Sequence, residues 1–244
     1  MERTREMQRR GWMALSLAAA VLVATSGVAR EAIANAEEEA EARDRVKAAA
    51  DVLREMVRAE DADIPEALLS RAKAVAVVPH VVRGAFIVGG RWGKGVVATR
   101  AADGQWGPAS FVDLSGASVG FQIGGDATDL IMVFIEEDGL EALLEDRVEL
   151  GANASVAAGP IGRSGEIGTN VTLDSAIYAY SRSKGAFAGA ALDGTVITID
   201  DSANQTAFGR AIDGDVALSG AVATPEVFTP YVEAVKAVTP PMAQ

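Results

Sequence analysis

Apolar side chains recur every three or four positions along residues 37–60. Val46, Ala49, Ala50, Leu53, Met56 and Val57 fall on one helical face. Glu37, Glu38, Glu39 and Glu41 sit at the positive end of that helix dipole, and Arg54 and Arg58 at the negative end. A second, short helix is expected from Asp63 to Arg71, with Glu66 completing a capping box and Pro65 in the first turn. From Val75 onward the period changes. Short β-rich runs appear at 74–78, 85–88, 95–99, 129–135, 154–158, 176–180 and 195–199, punctuated by Gly, Pro and Asp-Gly. Asp103-Gly104 and Asp193-Gly194 read as hairpin turns. One helix interrupts, capped by Asp138 with Glu141 completing the box, its face formed by Leu140, Leu143, Leu144 and Val148. Pro225 opens a last helix carrying Val227, Val232 and Val235. The pattern predicts an α+β fold: a mainly antiparallel sheet forming a sandwich or partial barrel, with flanking N- and C-terminal helices.

The first 36 residues have a different layout. Arg3, Arg5, Arg9 and Arg10 precede an uncharged stretch over 11–29, followed by the small-residue pairs Gly27/Ala29 and Ala34/Ala36. Basic, apolar, then small-x-small is the secretory arrangement. The expectation is a cleaved signal peptide over 1–36 and an exported protein of the periplasm or envelope; a retained anchor is the alternative. The remaining chain divides into an amphipathic helix at 37–60, a main domain at 61–212 and a C-terminal extension at 213–244 with a short helix.

Composition narrows the chemistry. The chain has no cysteine and a single histidine, which excludes thiolate sites and multi-histidine metal centres. Its net charge of −12 makes the whole molecule a poor nucleic-acid ligand. Gly116-Ala-Ser118-Val-Gly120 matches a nucleophile elbow, but the histidine base of that arrangement follows the serine, and His80 precedes it. A small-residue strand is the preferred reading. GGRWGKG (89–95) lacks the Ser or Thr and the glycine spacing of a phosphate loop. Asp200, Asp201 and Asn204 lack the spacing of a calcium loop, so a helix or turn cap is expected there. Asn153, Asn170 and Asn204 begin glycosylation sequons. No catalytic residue, cofactor or metal is expected.

One charge pattern stands apart. Residues 67–102 contain no acid, but contain Arg71, Lys73, Arg83, Arg91, Lys94 and Arg100, with Phe86 and Trp92 among them. One reading is a set of apolar strands with basic ends. The other is a cationic, aromatic face for anionic lipid headgroups, formed by Arg71, Lys73, Arg83, Phe86, Arg91, Trp92 and Lys94.

These residues also carry a family likeness. AKAVAVVP (72–79) followed by RGAFIVGGRWGKGVV (83–97) resembles the opening of a SYLF domain. The likeness continues through Trp106, Pro108, SVGFQIG (118–124) and Asp129, then Gly159-Pro160-Ile161-Gly162 and YAYSRSKGAFAGAALDG (178–194), to Phe208-Gly209. The resemblance implies a non-enzymatic lipid-binding module whose eukaryotic members bind phosphoinositide membranes and, in some cases, actin. For an exported bacterial-type member it implies an anionic envelope lipid as partner. The competing reading is a structural or protein-interaction domain of the periplasm or cell surface, with an unidentified protein partner.

Overall fold

The computed structural model describes residues 33–56, 64–84, 88–101, 103–119, 128–160, 174–183 and 186–240. They fall in two compact units. The first is Met1–Glu41, of which 33–41 are helical; the second is Ala42–Gln244. The expected signal segment lies almost wholly outside the described residues. No described helix is long and apolar enough to cross a membrane.

The second unit opens with helix α1, residues 42–56. Ala42, Val46, Ala49, Ala50, Leu53 and Met56 are all buried, as the three-four spacing predicts. Helix α2 (Glu66–Arg71) begins three residues later than expected. Ile64 precedes Pro65, which disfavours helical backbone at Ile64, and Pro65 itself is extended with ψ 133°. The sheet follows, with β1 (Ala74–Gly84), β2 (Val88–Arg100), β3 (Trp106–Val119) and β4 (Thr128–Phe134). Helix α3 (Glu137–Leu144) leads to β5 (Arg147–Glu149) and β6 (Val156–Ala158). Then come β7 (Ile177–Ser183), β8 (Ala186–Gly189) and β9 (Thr195–Ile199). Helices α4 (Asp201–Phe208) and α5 (Gly214–Leu218), a 3-10 turn (Glu226–Phe228) and α6 (Thr229–Val238) complete the unit.

The strands form one sheet in the order β5-β9-β3-β2-β1-β4-β7-β6, with β8 also paired to β7. All pairings are antiparallel except β6 with β7. The sheet curls into a half-barrel flanked by helices, as the period change implied. Both of its faces are buried. Val75, Val77, Val96, Ala98, Phe111, Ile131 and Val133 pack with α1, α2 and α6 in one apolar cluster. Ala74, Ala76, Val78, Val97, Val112, Leu114, Leu130 and Met132 pack with α3, Val148, Ile197 and Leu218 in the other. Alternation along each strand divides the side chains between the two.

Three expectations need correction. Val148 does not extend the face of α3: Asp146, at φ 63°, ends that helical course, and Val148 pairs with Ile197 in β5. α3 begins at Glu137 rather than after an Asp138 cap, and its start carries no side-chain capping bond. Asp193-Gly194 forms a turn, with Gly194 at φ 70°, but it joins β8 to β9, which pair with different strands rather than with each other. Asp200 does cap α4, accepting the Ala203 N–H at 3.1 Å.

Candidate functional site: the free end of the β1–β2 hairpin

β1 carries Pro79 and His80 inside an otherwise apolar run, and proline within a strand belongs at an edge or a bulge. Here it is a bulge. β1 advances five residues from Val77 to Val82 while β2 advances four, from Val96 to Trp92. Against β4 the same insertion appears, Val78 facing Leu130 and Val81 facing Thr128. His80 takes φ 53°, an uncommon conformation for a side-chain-bearing residue. Its N–H donates to Asp129 Oδ1 at 2.9 Å. Asp129 is buried and paired with Arg182 at 3.3 Å, and Arg182 also pairs with Glu55 of α1. The bulge is thus anchored to the sheet and, through two ion pairs, to α1.

An extra residue in a strand reverses which face the following side chains occupy. Val81 joins the buried cluster that holds Val78, and Val82 turns to the opposite face, directly across from Trp92. Val82 is 57% and Trp92 55% exposed; with Ile33 they are the exposed large hydrophobics among the described residues. The indole lies flat over Gly90, where a Cβ would come within 2.3 Å of the ring. The neighbouring positions on β3 are Ser115, opposite Trp92, and Asp113, opposite Lys94. Beyond Asp113, β3 is acid-free to Val119, and so is the hairpin that it pairs.

The basic residues singled out by sequence divide between two ends of the sheet. Arg71 closes α2 and pairs with Glu136 at 2.5 Å; Lys73 pairs with Glu137. The length of β1, about 30 Å at 3.3 Å per residue, separates them from Arg83. Arg83 sits opposite Arg91 near the free end of the hairpin. The Arg91 side chain is buried, with Nη1 donating to the Ala191 carbonyl at 3.4 Å, and Lys94 is exposed. Phe86 lies outside the described residues. The register therefore sets Arg83 across from Arg91 at this end of the sheet, puts Trp92 and Lys94 on the other face of β2, and leaves Arg71 and Lys73 in a mixed-charge cluster elsewhere. Val82 belongs to the same end, although its segment reads in sequence as a uniform apolar run.

Ser118 lies within β3 opposite Gly89, on a continuous strand rather than a strand-to-helix elbow. Among the described residues no three His, Cys, Asp or Glu side chains are grouped to hold a metal ion.

Strand order and helix placement define an α+β half-barrel domain, one of the two architectures that the hydrophobic pattern predicted. The family model described as "Ysc84: Las17-binding protein actin regulator" matches residues 115–238. The chain is 35% identical over 196 residues to protein YSC84 of Saccharomyces cerevisiae, covering 77% of this chain and 42% of that protein. It is 34% identical over 173 residues to LAS seventeen-binding protein 3 of the same species, and 31% over 189 residues to SH3 domain-containing YSC84-like protein 1 of Rattus norvegicus. The chain belongs to the Ysc84, or SYLF-domain, family. It spans 42% and 38% of the length of the two yeast relatives and 55% of the rat one. The family description and the name of LAS seventeen-binding protein 3 refer to binding and regulation, not to catalysis.

Proposed function

We propose that this protein is a non-enzymatic lipid-binding protein of the cell envelope that contacts anionic headgroups through the free end of its β1–β2 hairpin. The observation that carries the reading is electrostatic. In a chain of net charge −12, Arg83, Trp92 and Lys94 stand on two adjacent strands, β1 and β2, that carry no acid, and the acid of β3 that faces them is Asp113, opposite Lys94. Acidic excess elsewhere repels an anionic surface and orients this end toward it. Export through the N-terminal segment belongs to the same proposal and places the domain at an envelope membrane.

The test is co-sedimentation with phosphatidylcholine vesicles containing phosphatidylglycerol, compared with phosphatidylcholine alone. A basic residue near an anionic surface contributes about 1 kcal/mol, so Arg83→Glu with Lys94→Glu lowers affinity at least about tenfold. Arg71→Glu, at the other end of β1, leaves it within about twofold. Equal binding by the folded double variant and the wild type at low salt refutes the assignment. The names of the relatives favour a second reading, a protein-interaction domain. Under it the anionic vesicles recover no more protein than the neutral ones.

A further inference from the structure

The lipid reading concerns charge, and charge alone does not account for the bulge. A regular β1 would continue the alternation from Val77 and place position 81, not 82, beside Trp92. The extra residue at Pro79-His80 buries Val81 and leaves Val82 standing in the solvent next to an exposed indole. A left-handed residue outside glycine is costly to hold, and here the Asp129 carboxylate, itself fixed by Arg182, receives the His80 N–H. A buried charged group thus holds a strained turn whose geometric consequence is that Val82, rather than Val81, stands across from the exposed indole. Bulges that re-aim side chains concentrate at functional ends of sheets.

We infer that Val82 and Trp92 form an apolar wedge that enters the boundary between headgroups and acyl chains, with the Pro79-His80 bulge as the device that aims it. The inference rests on the lipid reading, and it specifies the occupant of this face as a bilayer carrying anionic lipid. Charge complementarity supports that occupant: between Val82 and Lys94 the two strands carry Arg83, Arg91 and Lys94 and no acid, an excess that Asp113 of β3, opposite Lys94, offsets only in part. Trp92 suits the interface because its ring is apolar while its N–H can stay with the headgroups. Gly90 contributes by letting the ring lie against the sheet, so that the pair forms one continuous surface. Arg91, turned to the opposite face and buried, stays out of the wedge.

The wedge predicts binding that salt does not abolish. Headgroup attraction between exposed charges is screened within about 8–10 Å at physiological ionic strength, whereas apolar burial is not. The experiment uses the full chain with Trp12→Phe and Trp106→Phe, so that Trp92 is the remaining emitter. Vesicles of phosphatidylcholine and phosphatidylglycerol, with and without brominated acyl chains, are added at low salt and at high salt. The expected result is a blue shift of Trp92 emission, quenching by the brominated chains, and a bound fraction that persists at high salt. In the Val82→Ser/Trp92→Ser variant, made in the wild-type background and checked for folding by circular dichroism, the salt-resistant affinity falls about tenfold or more.

If anionic vesicles bind but Trp92 emission neither shifts nor is quenched, the lipid reading stands and the wedge is overturned. If no vesicle binds under any condition, the lipid reading itself fails. If the blue shift appears without vesicles as protein concentration rises, the pair is a contact between copies of this chain, and the wedge is again overturned.

Discussion

Breaking the ion pair between Arg45 and Asp200 tests how α1 is held to the sheet. The two side chains meet at 2.8 Å with 6% and 7% of their surfaces exposed, and the guanidinium lies 4.9 Å from the Phe111 ring centroid. Asp200 also caps α4 and accepts a bond from Ser202 at 2.9 Å. Asp200→Asn keeps a good capping side chain but removes the charge facing a buried guanidinium, the kind of change that costs about 3–5 kcal/mol. At roughly 2–4 °C per kcal/mol for a unit of this size, the melting temperature should fall by about 6–20 °C. Arg45→Met should cost less, because the carboxylate keeps the Ala203 N–H and the Ser202 hydroxyl. The double variant should be more stable than the sum of the single effects implies, by about 2 kcal/mol, since a neutral amide then faces an apolar side chain. The pair also sets a pH dependence. Burial raises the Asp200 pKa, but the Ala203 N–H and Arg45 outweigh it and hold the carboxyl below its ordinary value of 3.8. A depressed carboxylate contributes stability that is present above the unfolded value and lost as pH falls through the folded one. The gap between wild type and Asp200→Asn should therefore be constant near neutrality and narrow below about pH 3.8. Urea unfolding followed by circular dichroism measures each term. A single-variant cost under about 0.5 kcal/mol, or strict additivity in the double variant, would refute the argument and leave apolar packing and the Arg182–Glu55 pair to hold α1.

Two further outcomes follow from other parts of the chain. Asp146 sits at φ 63° and accepts the Gly214 N–H at 3.1 Å, and its carboxyl is raised by burial and by Asp201, Asp215 and Asp213. Asp146→Asn keeps the acceptor and a residue tolerant of that backbone, so it should stabilise the fold by a few tenths of a kcal/mol near neutrality, in a salt-sensitive way; unchanged or lower stability in urea would count against it. Export is checked by intact mass: protein recovered outside the cytoplasm of a bacterial host should lack its N-terminal segment, and a species beginning at Met1 would refute cleavage.

The elements that the sequence made legible are those with a clean period. The face of α1 and the runs that became β4, β7 and β9 needed nothing beyond spacing, because both clusters bury every second or every third-to-fourth residue. Glycine hid β2. The run GGRWGKG looks like a loop, yet it is a strand whose glycines lie against β1: a Cβ on Gly93 would come within 2.5 Å of Val78 Cγ1, and one on Gly95 within 2.5 Å of the Val77 carbonyl. Strand propensity weighs side chains and misses a position selected for having none. The basic window failed as a single patch for a topological reason, since an extended strand carries Lys73 and Arg83 to opposite ends. Val82 was hidden by parity: a single inserted residue exchanges inside for outside, and only Pro79 within an apolar run signals that the count has slipped.

A sheet buried on both faces leaves its ends as the places where it can meet a partner. At one end of β1, Arg71 and Lys73 are already matched by Glu136 and Glu137, and the charges cancel locally. At the other, Arg83, Lys94 and an exposed indole stand on two strands without an acid of their own, with Asp113 of β3 opposite Lys94, beyond a bulge braced by Asp129 and Arg182. The asymmetry is built from the same strands, and Val77 and Val78 already fill the two clusters before the bulge begins. The strained backbone at His80 is stabilised at a point where the core gains only Val81 and loses Val82 to solvent. On stability alone that exchange has little to recommend it, and the feature makes sense when the exposed end has something to bind.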